Sequence, residues 1–388
     1  MILLCLFNAV IYNAKGTNRT EKIIINVVLV VCFSLLMAYR PSFVPDTLSY
    51  KQIFDNIKVG ESYSFNIFGE NERVEYGFLY LVKFYKIFSD NVRFFFFIVC
   101  LASVSIFLYG TNRIVTKFMR QKICVPAVMA FYIPYFGIFY NGIAIRQGLA
   151  MAMCVLAFSF LIYKKYLRSV LFWFFAFLFH RLSFIFIFIM VAYQILRYFK
   201  ISSIIYVVVA VICLLIVFLG FGYIINQYTF DFLLNILNKI GLDSAYSDYL
   251  ANYNNHSFPL NLVFYTFCCL IMVYLARKRR PIKNLINIYI IGIVIMNLLI
   301  GSETIWRGTD YFIMFSILIV SCFMTMQGYK VGKSHNRNII EMRGHTESRV
   351  YVLRKQSSLY WALIALMGLG FFLISVNVIF PELIELGI

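Results

Sequence analysis

The run Leu171-Phe-Trp-Phe-Phe-Ala-Phe-Leu-Phe-His180-Arg181-Leu-Ser-Phe-Ile-Phe-Ile-Phe-Ile-Met190 decides the fold of this chain. It is apolar on every face and broken only by His180, Arg181 and Ser183. A helix without a polar face belongs inside a large core or inside a bilayer. Working outward, apolar runs bounded by charge or turn residues recur near 1–12, 23–39, 94–112, 123–140, 146–163, 169–180, 182–199, 203–224, 261–276, 285–301, 310–328 and 357–380. They predict an all-α polytopic membrane protein of about 12 transmembrane helices with long outer loops. The first run is shorter than the roughly 20 residues a span needs, and its basic residues follow it, unlike a cleavable signal. The stretch 77–89 mixes aromatics with Lys83 and Lys86 and suits a surface or re-entrant helix.

Composition agrees. Of 388 residues 62% are hydrophobic and 13% charged, where a soluble protein carries roughly 25% charge. A mean hydropathy of +0.82 spread along the chain leaves no segment able to own a soluble core. Soluble enzymes, nucleic-acid modules and single-pass receptors are excluded. With no repeat, linker or low-complexity tail, residues 1–388 read as a single integral domain. The nine cysteines sit in apolar stretches without metal-ligand spacing and read as small packing residues.

The formal net charge of +18 reads as topology. Segments 13–22, 113–122, 164–168, 197–202, 277–284 and 329–356, placed on one side, collect 24 of the 35 Lys and Arg but 3 of the 17 Asp and Glu. That side is cytoplasmic by the positive-inside rule. Both termini then lie outside, as do loops 40–93 and 225–260, and the basic loop 329–356 is an orientation signal near anionic headgroups.

Four arginines run against that rule: Arg40, Arg146, Arg181 and Arg307 fall at the outer ends of spans. An arginine at membrane depth is costly unless it faces a partner or an anion, and its fork matches phosphate oxygens bidentately. Convergence on one outer cavity points to a diphosphate ligand; interhelical ion pairs or snorkelling to headgroups are the plainer alternatives. The outer acids Asp46, Glu75, Glu303 and Asp310 are candidate bases, or else loop-stabilising turn residues or arginine partners, the latter reading being favoured for the last two. His180, embedded in the apolar run, is a candidate acid, base or phosphate donor, or else a histidine bonded to a helix carbonyl. His256, His335 and His345 receive no role. Tyr246, Tyr249 and Tyr253, in a polar outer segment, suit stacking on sugar faces or interface anchoring. No phosphate-binding Gly loop, metalloprotease helix, nucleophile elbow or dinucleotide motif is present, so energy comes from the substrate or a gradient.

The order Arg40, Pro45-Asp46-Thr47, Tyr50, Phe54, then Glu75-Tyr-Gly-Phe78, Asn141-Gly-Ile-Ala-Ile-Arg146-Gln147-Gly-Leu-Ala150, Phe179-His180-Arg181-Leu-Ser183 and Trp306-Arg307 to Tyr311-Phe312 resembles the EpsG family of Wzy-like polysaccharide polymerases. The family's Gly before Asp-Thr is Pro45 here. The resemblance implies a bacterial plasma-membrane enzyme similar in architecture to the C-class glycosyltransferases, working on O-antigen, capsule or exopolysaccharide. Such an enzyme would join repeat units carried on undecaprenyl pyrophosphate, without cofactor or metal. Arg146 and Arg307, with Arg40 or Arg181, would hold the pyrophosphate, and Glu75, Asp46 or His180 would be the base. Membrane lipid, a flippase and a chain-length regulator of the same pathway are the implied partners, and nucleic acid is not. A lipid-oligosaccharide flippase, a membrane O-acyltransferase and a glycan ligase are the competing functions.

Overall fold

Local chemistry starts and stops the helices. Asn18 Oδ1 accepts from the Glu21 amide at 2.8 Å while Glu21 Oε2 accepts from the Asn18 amide at 3.0 Å, a capping box. Asn91 Oδ1 likewise accepts from the Arg93 and Phe94 amides. Lys164, at φ 59°, ends one helix: its amide donates to Leu161 and that of Lys165 to Phe160, both at 2.9 Å, closing a Schellman turn.

The computed structural model describes residues 1–13, 18–60, 74–199, 202–219, 221, 228, 260–276, 282–298, 303–325 and 358–379. In chain order the elements are α1 (Ile2–Asn13), α2 (Arg19–Ala38), α3 (Thr47–Asn56), α4 (Tyr76–Lys86), α5 (Val92–Met119) and α6 (Val125–Tyr132). Two π-helical turns follow, π1 (Ile133–Gly137) and π2 (Phe139–Ile143), then α7 (Ile145–Ile162), α8 (Tyr166–Phe179), a 3-10 turn (Arg181–Ile185), α9 (Phe186–Tyr198) and α10 (Ser203–Phe218). The last are α11 (Leu260–Ala276), α12 (Lys283–Leu298), α13 (Glu303–Ile313), α14 (Phe315–Thr325) and α15 (Ser358–Ile379). No strand occurs among the described residues.

Each of the twelve apolar segments carries helix. Among the described residues five helical stretches are long and apolar enough to cross a membrane, 19–38, 92–119, 145–162, 181–198 and 307–325, and shorter apolar helices accompany them. Burial sorts them, with 89% of the 145–162 span and 94% of 307–325 enclosed by protein against 28% of 19–38 and 33% of 181–198. Thus α7 and α13–α14 form the centre, and α2 and α9 turn large side chains such as Leu36, Phe188 and Val191 outward, as lipid contact requires.

The stretch 77–89 is the helix α4, whose eleven residues make roughly 16 Å and cannot span. Beside it lies α3, a helix inside the expected outer loop 40–93 that no apolar run announces. Tyr50 and Phe54 of α3, Phe78 and Val82 of α4 and Phe95 of α5 form a second apolar cluster that also takes in Ile145 and Leu149 of α7. It seats the two short helices over the mouth of the central helix.

The first π turn follows from Pro134, its second residue. Proline lacks an amide hydrogen and its ring crowds the carbonyl four residues earlier, so the ladder of α6 slips a register instead of continuing.

Candidate functional site

Glu75 occupies the N-cap position of α4, yet its side chain makes no cap bond. It turns to two other helix ends. One carboxylate oxygen accepts from Arg146 Nη1, at the start of α7, and the other lies 3.1 Å from His180 Nδ1, at the end of α8. Gly77 permits this approach: a Cβ there would lie 2.7 Å from the Leu178 carbonyl oxygen, so only glycine lets α4 rest on the α8 backbone two residues before His180.

Burial alone would lift the Glu75 carboxyl, but the His180 hydrogen bond and the Arg146 charge outweigh it and hold the group below the usual carboxylate range. An ionised carboxylate only accepts, so His180 Nδ1 carries the hydrogen and donates it. In the neutral ring the lone pair then sits on Nε2, which is buried and has no hydrogen-bond partner among the described residues. The Arg146 fork is fixed on its other side by Tyr50: Nε donates to the Tyr50 hydroxyl at 3.4 Å, and the guanidinium carbon sits 5.5 Å from the ring centroid. Burial raises the Tyr50 hydroxyl pKa against the opposing pull of Arg146.

Arg307 reaches the same neighbourhood through its backbone: Gln147 Nε2, next to Arg146, donates to the Arg307 carbonyl at 3.0 Å. The Arg307 side chain itself is exposed. Arg181 opens the 3-10 turn that packs against both α7 and α13, and it makes no hydrogen bond or ion pair among the described residues.

The other candidates lie elsewhere. Arg40 Nε donates to Thr47 Oγ1 at 2.9 Å, its Nη1 to the Met37 carbonyl at 3.2 Å, and its guanidinium stacks 4.2 Å from the Phe96 centroid. Burial lowers its pKa to about 10, so it stays charged at neutral pH and ties α2 to α3. Asp46 is exposed at φ 62°, its backbone carbonyl closing the first turn of α3 on the Tyr50 amide and its side chain making no cap bond. Tyr246, Tyr249 and Tyr253 lie outside the described residues, as do loop 329–356 and most of 225–260.

Asp310 contacts neither His180 nor Glu75 by hydrogen bond. It is 2% exposed on α13, one turn beyond Arg307, and accepts from Tyr135 at 3.4 Å and from Tyr140. The sequence reading assigned no role to Tyr50, Gln147, Tyr135 or Tyr140; the first two stood inside the recognised motifs, and the tyrosines had no signal beyond their proximity to Pro134. Among the described residues no group of three or more His, Cys, Asp or Glu gathers as metal ligands do.

The EpsG family model matches residues 3–337, and the chain belongs to that family. No curated protein and no solved structure matches it.

Proposed function

We propose that this EpsG-family chain is a polysaccharide polymerase, a membrane glycosyltransferase joining undecaprenyl-pyrophosphate-linked repeat units at the outer face of the bacterial plasma membrane. Family membership supports the substrate class. The chemistry rests on one observation: Glu75 bonds both Arg146 and His180, which sets a fixed cation beside an oriented imidazole.

In this reading the growing chain on its lipid is the donor. A hydroxyl of the incoming unit attacks the anomeric carbon, a C–O bond forms, and the bond from that carbon to the pyrophosphate oxygen breaks. His180 Nε2 takes the hydroxyl proton and later passes it to water. Glu75 holds the ring in that tautomer and faces the imidazolium that forms, the role a carboxylate plays behind a catalytic histidine. Glu75 is therefore the orienting group and His180 the base; Asp46, exposed and not bonded to His180, is set aside. Arg146, held by Glu75 and Tyr50, and Arg307, tied in by Gln147, receive the charge that develops on the departing pyrophosphate. Arg181 adds a third cation at the same helix ends, and Arg40 keeps the outer helices in place. Attack from the face opposite the leaving group inverts the anomeric centre.

The same reading takes the twelve helical segments as twelve spans, with both termini outside and an architecture of the C-class glycosyltransferase kind. The outer segment with Tyr246, Tyr249 and Tyr253 contacts sugar, and a flippase and a chain-length regulator act before and beside the enzyme.

The test is reconstitution in lipid vesicles with an undecaprenyl-pyrophosphate-linked repeat unit, product length being followed on a gel. The wild type is expected to give a ladder. His180→Ala should slow it by about 10²–10⁴-fold, the usual worth of a general base. Arg146→Ala should abolish it and also cost stability, because a buried carboxylate left without its cation is destabilised by about 3–5 kcal/mol. Repeat units that stay single with folded wild-type protein would reject the polymerase, and a full ladder from His180→Ala would reject the base.

A further inference from the structure

A carboxylate at membrane depth demands an explanation, and Asp310 is buried between two tyrosines that the chemistry above does not use. The π turns explain how both reach it. In an α-helix residues five apart point about 140° away from each other, at 100° per residue. A π turn closes its hydrogen bonds between residues i and i+5 and so brings them toward one face. Tyr135 and Tyr140 stand five apart across π1 and π2, their rings at 6.4 Å and 89°, and both hydroxyls donate to Asp310.

Tyr140 also meets the other side of the site. The main chain of π2 lies against α7 so closely at Gly148 that a Cβ there would collide with the Tyr140 carbonyl. Gly148 is two residues past Arg146, and Asp310 is three past Arg307. With Gln147 bonded to the Arg307 carbonyl, two cross-links join the segments carrying the two arginines.

We propose that Tyr140 and Asp310, with Gln147, form a brace that sets the separation of Arg146 and Arg307, so that both guanidiniums meet one pyrophosphate. All three are positioning residues. The inference rests on the pyrophosphate reading of the previous section for its purpose, but not for its mechanics.

Two readouts separate these. Hydrogen–deuterium exchange of amides 307–313 in detergent-solubilised protein reads the brace alone: Tyr140→Phe, which removes only the hydroxyl, is expected to speed exchange there by ~10-fold, about what one lost hydrogen bond gives. Unchanged exchange overturns the brace. Polymer synthesis in vesicles reads the purpose: Tyr140→Phe should lower kcat by ~10-fold with KM little changed, and should cost under ~2-fold in an Arg307→Lys background. Equal losses in both backgrounds overturn the claim that Tyr140 acts through Arg307. Faster exchange with undiminished synthesis leaves the brace standing but rejects Arg307 as a pyrophosphate ligand. Asp310→Asn, whose amide can bond both tyrosines, should restore slow exchange where Asp310→Leu does not; equally fast exchange in both variants would overturn a hydrogen-bonded brace.

Discussion

At the residue scale the Arg146–Glu75–His180 chain makes a prediction about pH. The folded state holds the Glu75 carboxyl below its unfolded value of about 4.3. Its contribution to stability is therefore complete above that unfolded value and is lost as pH falls through the lower folded value. Melting of the detergent-solubilised protein should drop on acidification below about pH 4, and Glu75→Gln should remove that part of the slope while lowering the melting temperature at pH 7. A Glu75→Gln profile parallel to the wild type would place the acid sensitivity elsewhere. His180 and Arg146 were legible in the sequence because each breaks an apolar run. That Arg146 claims one Glu75 oxygen and His180 the other was not legible, since it depends on side chains brought from two later helices. Nor could sequence tell Arg40 from Arg146: both end up half-buried beside aromatics, but only Arg146 hydrogen-bonds a carboxylate.

Among elements, α4 delivers the acid, and its seat on α8 is made by one glycine. Gly77→Ala puts a methyl group 2.7 Å from a backbone oxygen that cannot rotate away. Crowding of this kind costs about 1–3 kcal/mol, and the displaced Glu75 should lengthen its 3.1 Å bond to His180. Polymer yield is expected to fall by ~10-fold or more, because an ångström of misplacement costs as much as 10²-fold. Tyr80→Ala, on the exposed face of the same helix, should leave it unchanged. Equal yields from Gly77→Ala and wild type would mean that α4 does not need this seat. Apolar periodicity found the long helices, because the bilayer imposes length and hydrophobicity together. It missed α3, whose polar Thr47–Asn56 is fixed by Tyr50 and Phe54 docking on distant aromatics. It missed π1 and π2 as well, where Pro134 announces a break in the ladder but not the register that follows.

Counting along the sequence puts the basic excess on one side, and the structure gathers Glu75, Arg146, His180 and the Arg307 backbone at the opposite ends of the helices. If the basic side is cytoplasmic, Ser42, exposed near the acid-bearing helices, faces out and Lys117, exposed at the far end of α5, faces in. A membrane-impermeant maleimide should label Ser42→Cys in intact cells and Lys117→Cys only after lysis. The native cysteines give little background, since eight are buried and Cys32 is half-buried in α2. The reverse pattern would invert the orientation and move the site to the cytoplasm.

The order in which the chain emerges during synthesis adds a last consequence. Glu75 precedes Arg146 by 71 residues and His180 by 105, so its carboxylate is made first and has nothing to grip until two later helices have been inserted. The short α4 cannot span the bilayer on its own. Its bonds to Arg146 and His180 form only once α7 and α8 have been made. The site is therefore complete only after the chain has passed residue 180, and a shorter chain carries Glu75 and Arg146 without the imidazole.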